Sequence, residues 1–329
     1  MASSIRQGVV VVGLLALALA PPRPAEAQML EALGARALGL GGAFVAVADD
    51  ATAVYWNPAG VALGPFFSLV VETGQDETGP EWGEGTPGTI RQSGTMIAAT
   101  TLPIGLSYYR LASYSTGALL PGQVSASASS LVTDHVGVTL VHSITSAVAI
   151  GGTLKFVRGA AANGVAERAT DPFEAVESLP RHGSNAFDVD LGVLATFGRT
   201  RVGITGRNLM APEFEAPDGT ELGLERQVRA GVALVPSDRL LVALDADLTR
   251  TSTVAGDRRN IAAGVETWFA RRRVGLRGGF RVSTIDGARP VGAFGGSFGL
   301  FRAFLVDGQL TRGVDEGDRG WSVGGRVGF

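Results

Sequence analysis

Most of this chain alternates between apolar and polar residues with a period of two. The clearest example lies between Asn185 and Phe197, where the odd positions are apolar and the even positions include Asp188 and Asp190. Similar segments recur up to the last residue. Strands of soluble proteins usually have five or six residues, whereas about ten tilted residues cross a bilayer. Because these segments run to about ten residues, the pattern predicts transmembrane β-strands.

Fourteen such segments follow one another from residue 64 to the end of the chain. Short connections alternate with longer ones, as in outer-membrane barrels, and an even strand number leaves both chain ends on the periplasmic side. A secreted sandwich or propeller would not need an apolar outer face on each strand. The predicted fold class is therefore all-β, a transmembrane antiparallel β-barrel of about fourteen strands. The segments are residues 64–73, 93–102, 104–114, 131–142, 146–158, 185–197, 200–208, 225–235, 239–249, 259–269, 272–283, 290–299, 301–311 and 319–329.

The final segment ends in an aromatic residue. Trp321, Val323, Gly325, Val327 and Phe329 share one parity, so the chain closes on an alternating strand with Phe at its tip. This ending resembles the signal by which outer-membrane barrels are recognised and inserted. Trp321 and Phe329 are therefore predicted to form an assembly signal. The resemblance implies two partners, the barrel assembly machinery and the lipids of the bacterial outer membrane.

The first residues have the pattern of a secretory signal peptide. Arg6 gives a positive start, residues 8–20 are apolar, and Ala25-Glu26-Ala27 forms a small-x-small cleavage site. An anchor helix is the alternative, but the apolar stretch is shorter than the roughly 18 residues that span a bilayer. Residues 1–27 are therefore predicted to be a signal peptide that directs export.

Residues 28–63 do not alternate and precede the predicted barrel, residues 64–329. Their glycines permit close backbone approach, and Asn57 before Pro58 is expected to leave the helical region. The segment resembles the N-terminal hatch of the FadL superfamily of outer-membrane transporters, and more closely its PorV/PorQ-like branch. The resemblance implies a hatch inside a fourteen-stranded barrel, with Asn57, Pro58 and Ala59 as the hatch motif. The matching strings are Gly34-Ala35-Arg36-Ala37, Gly39-Leu40-Gly41-Gly42-Ala43-Phe44, Ala48-Asp49-Asp50-Ala51 and Tyr55-Trp56-Asn57-Pro58-Ala59-Gly60.

Barrel girth independently favours a plug. Eight strands can fill their interior with their own side chains, whereas sixteen or eighteen leave an aqueous channel. Fourteen strands are expected to leave a lumen too wide for side chains alone. A segment rich in small and apolar residues would occlude much of that lumen, whereas a free periplasmic tail would be expected to be more polar.

The inward parity predicts charges of both signs in the lumen. Neighbouring strands would place Arg229 beside Asp245 or Asp247. In the same way, Glu266 would lie beside Arg273 or Arg277. We interpret these as pairs that stabilise the wall; the alternative is an ion-selective constriction, although a mixed lumen is unlike an anion or cation filter.

The residues give no support to catalysis, metal binding or nucleic-acid binding. The chain has no Cys and a formal net charge of -3, which argues against thiolate chemistry and against a basic nucleic-acid face. His135, His142 and His182 have no convincing triad or metal spacing. No enzyme activity, no metal and no cofactor are expected.

Two functions of different classes follow. The first is passive transport of a hydrophobic, fatty-acid-like small molecule gated by the hatch, with Phe44, Tyr55 and Trp56 as candidate ligand-lining residues. The second, implied by the PorV-like resemblance, is a barrel that binds secreted protein clients of a secretion or surface-attachment system. A continuous apolar route from the loops to the hatch favours transport, and a sealed lumen with an exposed apolar loop patch favours protein partners.

Overall fold

A computed structural model describes residues 31–79, 88–167, 172–253, 256–286, 289–301, 303–314 and 317–329. The predicted signal peptide, residues 1–27, lies outside these ranges. In order, the strands are β1 Phe67–Thr78, β2 Thr89–Thr101, β3 Ile104–Thr116, β4 Ser125–Ser143, β5 Val148–Glu167, β6 His182–Phe197, β7 Thr200–Arg207, β8 Glu213–Glu215, β9 Glu221–Gly223, β10 Gln227–Ser237, β11 Leu240–Asp247, β12 Asn260–Phe269, β13 Val274–Ser283, β14 Val291–Gly299, β15 Phe304–Gly313 and β16 Arg319–Gly328.

Within the described ranges, fourteen of these strands form a closed barrel, and β8 and β9 pair only with each other. Consecutive barrel strands are antiparallel, β7 pairs directly with β10, and β1 closes the wall against β16. A register shift occurs between Leu234 and Ser237 of β10. The all-β fourteen-stranded prediction is confirmed. Among the described residues, no helix is long and apolar enough to cross a membrane.

The alternation separates an apolar outer surface from a polar lumen. Leu244 and Phe280, which lie on the apolar parity of their strands, are 53% and 51% exposed. Arg229 and Arg277, predicted to face inward, are buried. The register confirms the inward and outward assignment for these strands.

The strand bounds differ most from the sequence prediction at the outer ends of β4 and β5. β4 begins at Ser125 instead of residue 131, and β5 continues to Glu167 instead of residue 158. The added residues are mostly Ser, Ala and Gly, which carry little apolar alternation although their backbones continue the ladder. Periodicity therefore predicts where the wall meets lipid better than where each strand ends.

Residues 31–63, called here the inner segment, lie inside the barrel. Every residue from 31 to 61 is buried except Asp49, which is half-buried. The inner segment contains helices α1 (Ala35–Gly39) and α2 (Ala53–Trp56) and a 3-10 helix (Pro58–Leu63). Helix α1 packs on β13 to β16, whereas the 3-10 helix packs on β4 to β6. The segment thus spans the lumen from one side of the wall to the other.

The two ends of the barrel differ. The terminal rim, defined by the strand ends at Phe67 and Gly328, carries the short turns, and the opposite outer rim carries the longer loops. At the outer rim, a helix α3 (Pro172–Glu177) follows β5. Phe214 of the β8–β9 hairpin lies against Gly159, where a Cβ atom would collide with its ring. This hairpin covers part of the lumen from the outer side.

Candidate functional site

Two wall carboxylates bind the backbone of the inner segment. Glu72 of β1 accepts hydrogen bonds from the N–H groups of Gly34 and Ala35, at 2.5 and 3.0 Å. Asp245 of β11 accepts from Phe44 and Val45, both at 2.8 Å. Each wall side chain thus satisfies two buried N–H groups of the inner segment, which would be costly to leave unpaired. The segment is therefore anchored to opposite parts of the wall through main-chain atoms, which any sequence would supply.

A closed ring of alternating charges joins the inner segment to the wall. Arg36 and Asp50 come from the inner segment, and the four wall members each lie two or three residues from the terminal rim end of their strand. The successive contacts are Arg36–Glu266 at 2.7 Å, Glu266–Arg277 at 3.4 Å, Arg277–Asp307 at 2.7 Å, Asp307–Arg326 at 3.3 Å, Arg326–Asp50 at 3.2 Å and Asp50–Arg36 at 3.3 Å. Three guanidiniums alternate with three carboxylates, so each charge has two opposite neighbours.

Asp49 extends this charge ring. It contacts Arg36 at 2.5 Å and Arg201 of β7 at 3.3 Å. Arg36 also lies 5.3 Å from the centroid of the Phe44 ring. A buried charge is costly unless it is paired, so loss of one ring member would leave each of its two neighbours with a single partner in the ring. The charge ring therefore stabilises one position of the inner segment relative to the wall.

Of the two predicted partners of Arg229, Asp247 is the one in contact. Arg229 Nε lies 2.6 Å from Asp247 Oδ1, and its Nη2 lies 2.5 Å from Glu31 of the inner segment. The alternative pairing of Arg229 with Asp245 was wrong, because the Asp245 carboxylate lies opposite Gly231 and binds the inner-segment backbone. Burial acts to raise the pKa of the Glu31 carboxyl, but Arg229 and Arg281 outweigh it and hold that pKa well below its ordinary value. Glu31 is therefore ionised and tethers the segment near the outer rim.

Of the two predicted partners of Glu266, Arg277 is the one in contact. Arg277 lies directly across from Glu266 in the β12–β13 register. Arg273, the other, is exposed in the turn before β13 begins at Val274. The prediction for Arg273 was wrong because β13 begins only at Val274. Arg273 therefore belongs to the exposed turn and not to the inward face of the strand.

The Asn57-Pro58-Ala59 motif links the inner segment to β6. The Asn57 amide donates to the carbonyls of Val45 at 2.9 Å and Val193 at 3.2 Å. Its Oδ1 accepts from Ala59 N–H at 3.2 Å and so caps the 3-10 helix, with Pro58 as the first helical residue. Asn57 is fully buried. One side chain thus satisfies two carbonyls and one N–H in the middle of the lumen.

Two wall glycines allow this close packing. A Cβ atom at Gly151 would collide with the backbone of Pro58, and one at Gly279 would collide with the backbone of Leu40. Clearance is the role that the contacts support for Gly151 and Gly279.

The candidate ligand-lining residues Phe44, Tyr55 and Trp56 are fully buried. Trp56 packs edge to face on both others, with ring centroids 5.9 Å from Phe44 and 6.0 Å from Tyr55. Its Nε1 donates to the Leu33 carbonyl at 3.2 Å, and Arg207 lies 3.6 Å above the Tyr55 ring. In this conformation the three rings form a packed core, and their contact with a ligand stays a prediction.

The lumen holds little free space where it is described. Two cavities among the described residues measure about 20 and about 10 Å³, so each has room for about one water. They lie near the outer rim and share Arg258 and Asn260. No group of three or more His, Asp or Glu side chains that could hold a metal occurs in the described part of the chain.

Sequence reasoning found Arg229, Glu266 and Arg277 but missed the charge ring. Arg36 and Asp50 stand in the strings that carry the hatch resemblance, but no ionic partner was predicted for either. The available signal was a lone arginine in an apolar stretch, which must find buried carboxylates. Lys155, Asp188 and Asp190 have the inward parity, but their contact was not predicted: Lys155 Nζ lies 2.7 Å from both carboxylates.

Comparison with solved structures places this fold beside known channels. The structure of the CymD monoaromatic hydrocarbon channel has a TM-score of 0.64 at 15% identity, covering 92% of this chain and 99% of that chain. The Pseudomonas putida toluene transporter TodX gives 0.62 at 12% identity, with coverage of 92% and 99%. A Pseudomonas aeruginosa FadL homologue gives 0.63 at 11% identity, covering 93% and 99%.

At these identities the likeness shows a shared fold. The chain is therefore a FadL-like fourteen-stranded β-barrel in architecture, whereas the predicted closeness to the PorV/PorQ-like branch gains no support from the comparisons.

Two sequence comparisons give less information about the family of this chain. A family model described as "F plasmid transfer operon, TraF, protein" matches residues 97–247, from within β2 to the end of β11. This span is less than half of the chain. No curated protein matches the sequence.

Proposed function

We propose that this protein is an outer-membrane channel for the passive passage of a hydrophobic small molecule, with the inner segment as its hatch. Residues 1–27 direct export, residues 28–63 form the hatch and residues 64–329 form the transmembrane barrel. The terminal rim faces the periplasm, and the assembly machinery recognises the last strand, with Trp321 and Phe329. The proteins of similar fold are named as a monoaromatic hydrocarbon channel, a toluene transporter and a FadL homologue, which supports this choice.

The observation that carries the proposal is that non-covalent contacts hold a compact apolar segment inside the barrel. Glu72, Asp245, Asn57 and the charge ring bind the inner segment at separate places. Between them, the segment's own apolar side chains fill the lumen. A molecule much larger than water can pass only if part of this segment moves.

Hatch movement would create an apolar path in this lumen. Displacing the inner segment opens the charge ring and separates Phe44, Tyr55 and Trp56 from their present packing. Aromatic and aliphatic surfaces of the segment would then line the route, beside wall charges that remain paired with one another, such as Glu266 with Arg277. A hydrophobic solute gains by leaving water for such a surface, and its concentration gradient sets the direction of movement.

A reversible lock tests this mechanism. The chain has no cysteine, so a cysteine pair can be introduced without competing thiols. The Ala51 N–H donates to Ser68 Oγ of β1 at 3.0 Å, so these neighbouring residues are chosen for an Ala51→Cys and Ser68→Cys disulfide between hatch and wall. The matched control is Thr73→Cys with Thr95→Cys, whose hydroxyls lie 3.1 Å apart between β1 and β2 on the exposed side of the barrel.

Uptake of a radiolabelled monoaromatic hydrocarbon and of a long-chain fatty acid is measured in cells that lack their own hydrophobic channel. We expect the oxidised hatch lock to abolish uptake, a reductant to restore it, and the control disulfide to leave it unchanged. Absence of uptake by the unmodified protein would refute transport. Uptake that persists through the oxidised lock would refute the hatch as its gate.

The protein-client function, with its PorV-like resemblance, was the alternative from the sequence. None of the contacts described above favours it. It gains ground only if the unmodified barrel takes up neither probe.

A further inference from the structure

Five arginines form a basic crescent on one half of the terminal rim. Arg199 lies in the turn between β6 and β7, Arg239 between β10 and β11, and Arg271, Arg272 and Arg273 between β12 and β13. These three turns are neighbours, because β7 pairs with β10 and β11 pairs with β12. All five side chains are exposed.

The three turns of the basic crescent contain a single carboxylate, that of Asp238, which is exposed beside Arg239. None of the five guanidiniums forms an ion pair with a described carboxylate. Arg272 instead donates to the Asp238 backbone carbonyl at 2.9 Å and lies 5.0 Å from the centroid of the Trp268 ring. Inside the barrel, by contrast, buried arginines such as Arg229 and Arg277 lie in contact with carboxylates.

The turns after β2 and β4 on the same rim are uncharged, whereas the connection between β14 and β15 contains Arg302. The turns after β2 and β4, residues 102–103 and 144–147, consist of Leu, Pro, Ile, Thr, Ser and Ala. The five arginines of the basic crescent are therefore concentrated on the rim between β6 and β13.

The backbone of the most basic turn adopts an unfavourable conformation. Ala270, Arg271 and Arg272 have φ values of +48°, +58° and +64°, the left-handed region that side chains with a Cβ atom rarely adopt. Glycine would occupy these positions more easily. Two arginines stand there instead, which is expected if their exposed charge has a use beyond closing the turn.

Exposed aromatic residues directly precede two of these turns. Phe197 lies two residues before Arg199 and is 62% exposed, and Phe269 lies two residues before Arg271 and is 50% exposed. Aromatic girdles of transmembrane barrels lie at the membrane interface. The guanidiniums that follow them are therefore at the depth of the lipid headgroups.

We propose that the basic crescent binds the phosphate groups of anionic phospholipids in the periplasmic leaflet, so that these lipids gather along the β6–β13 side of the barrel. Guanidinium and phosphate pair through charge-assisted, often bidentate hydrogen bonds. Clusters of arginine beside a membrane attract anionic lipids. A lipid headgroup is favoured over a soluble acidic protein because the arginines directly follow the aromatic girdle. This inference rests on the proposed placement of the barrel in a bilayer, not on transport.

Lipid competition tests the proposal. The folded barrel is placed in nanodiscs with equal amounts of phosphatidylglycerol and phosphatidylcholine, and native mass spectrometry measures the ratio of the two lipids that remain bound. The crescent variant carries Arg199→Gln, Arg239→Gln, Arg271→Gln and Arg273→Gln. The control variant removes four arginines near the outer rim, which changes net charge equally: Arg181→Gln, Arg250→Gln, Arg259→Gln and Arg312→Gln.

We expect the parent and the control to prefer phosphatidylglycerol. The crescent variant should lose this preference at low salt, by about fivefold for each of the four arginines removed. High salt should weaken the parent's preference, because exposed charges are screened. Equal loss in both variants would assign the effect to net charge and overturn the proposal.

An unchanged ratio of bound phosphatidylglycerol to phosphatidylcholine in the crescent variant would also overturn the proposal. If that variant at the same time lost a co-purifying acidic periplasmic protein, the basic crescent would instead be a protein-binding surface. Failure of the parent to insert would refute the bilayer placement itself. Lost uptake with an intact lipid preference would count against transport alone.

Discussion

Arg36 and Glu266 meet through two parallel hydrogen bonds, from Nε to Oε2 at 2.8 Å and from Nη2 to Oε1 at 2.7 Å. Both side chains are almost fully buried. The planar guanidinium matches the carboxylate in a way that a lysine ammonium cannot. This pair is the most direct ionic link between the inner segment and β12, and it fixes the orientation of α1 in the lumen.

Replacing Arg36 with Met should release the inner segment while the barrel stays folded. Glu266 keeps Arg277, but Asp49 and Asp50 each lose a partner, and breaking a buried pair on one side costs about 3–5 kcal/mol. The readout is maleimide labelling of a cysteine introduced at Ala53, which is fully buried. We expect faster labelling than in the same Ala53→Cys protein with Arg36 intact.

Arg201→Gln is the control for this prediction. Arg201 also contacts Asp49, at 3.3 Å, but it is half-buried, and its loss leaves the charge ring closed. Labelling should stay near the parent rate. Equal labelling in the Arg36 and Arg201 variants would mean that the charge ring does not hold the segment.

The wall of this barrel could be predicted from the sequence because lipid imposes a strict rule on it. Each strand must present apolar side chains outward, so residues such as Leu244 and Phe280 reveal both strand and register. The outer ends of β4 and β5 escape this rule, since they extend past the apolar band. Their bounds depend on backbone pairing that leaves no periodic trace.

The interior could be predicted only in part. Parity placed Glu266 inside, and the antiparallel neighbour Arg277 followed from register. The tertiary contact between Arg36 and Glu266 depends on how an aperiodic segment folds within the lumen. Local sequence does not encode that distance, although an arginine in a buried apolar segment indicates that it has carboxylate partners.

Arginine at Leu244 or Phe280 should destabilise the barrel by roughly 2–4 kcal/mol for a position near the bilayer midplane. Both side chains are exposed on the outer surface near the middle of their strands. Urea titration of folding into lipid vesicles gives the free energy of unfolding. Val124→Arg, at a 75% exposed position outside the strands, should cost little, and equal stability of all three variants would contradict the bilayer position of β11 and β13.

Removal of Phe329 should block insertion. The Phe329 ring lies 5.2 Å from Phe67, and its N–H donates to the Phe67 carbonyl at 3.1 Å where the barrel closes. Fractionation and heat-modifiable migration on gels would show periplasmic accumulation in place of a folded barrel. Phe301→Ala removes another exposed aromatic residue on the same rim and should insert normally. Normal membrane yield without Phe329 would remove the basis for the assembly signal.

Asn57→Ala should loosen the inner segment around the 3-10 helix. The change leaves the carbonyls of Val45 and Val193 and the Ala59 N–H without their side-chain partner, at a cost on the order of 1–3 kcal/mol. In planar bilayers we expect larger or noisier conductance than in the parent, with a folded, heat-resistant barrel. Asn163→Ala, which breaks contacts in the outer region, should leave conductance unchanged. Identical conductance and protease sensitivity in both variants would argue that the motif is not part of a gate.

Gly279→Ala offers the sharpest separation between wall and hatch. A Cβ atom at position 279 points into the lumen and collides with the backbone of Leu40, so the inner segment must shift or leave. The neighbouring Gly278 has the opposite parity, and a Cβ atom there would meet only the Ala293 carbonyl oxygen, at 3.8 Å. Gly278→Ala therefore makes the same chemical change on the same strand without touching the segment.

We expect Gly279→Ala to raise both conductance and the labelling of Ala53→Cys, while Gly278→Ala matches the parent in both. The two variants should share the parent's resistance to unfolding by heat, because each wall strand tolerates one added methyl group on its own surface. If Gly279→Ala conducts and labels like Gly278→Ala, the inner segment can yield without opening a path, and gating by its displacement would fail. If both variants lose the folded barrel, the wall depends on these glycines for its curvature, and their clearance role for Leu40 would be wrong.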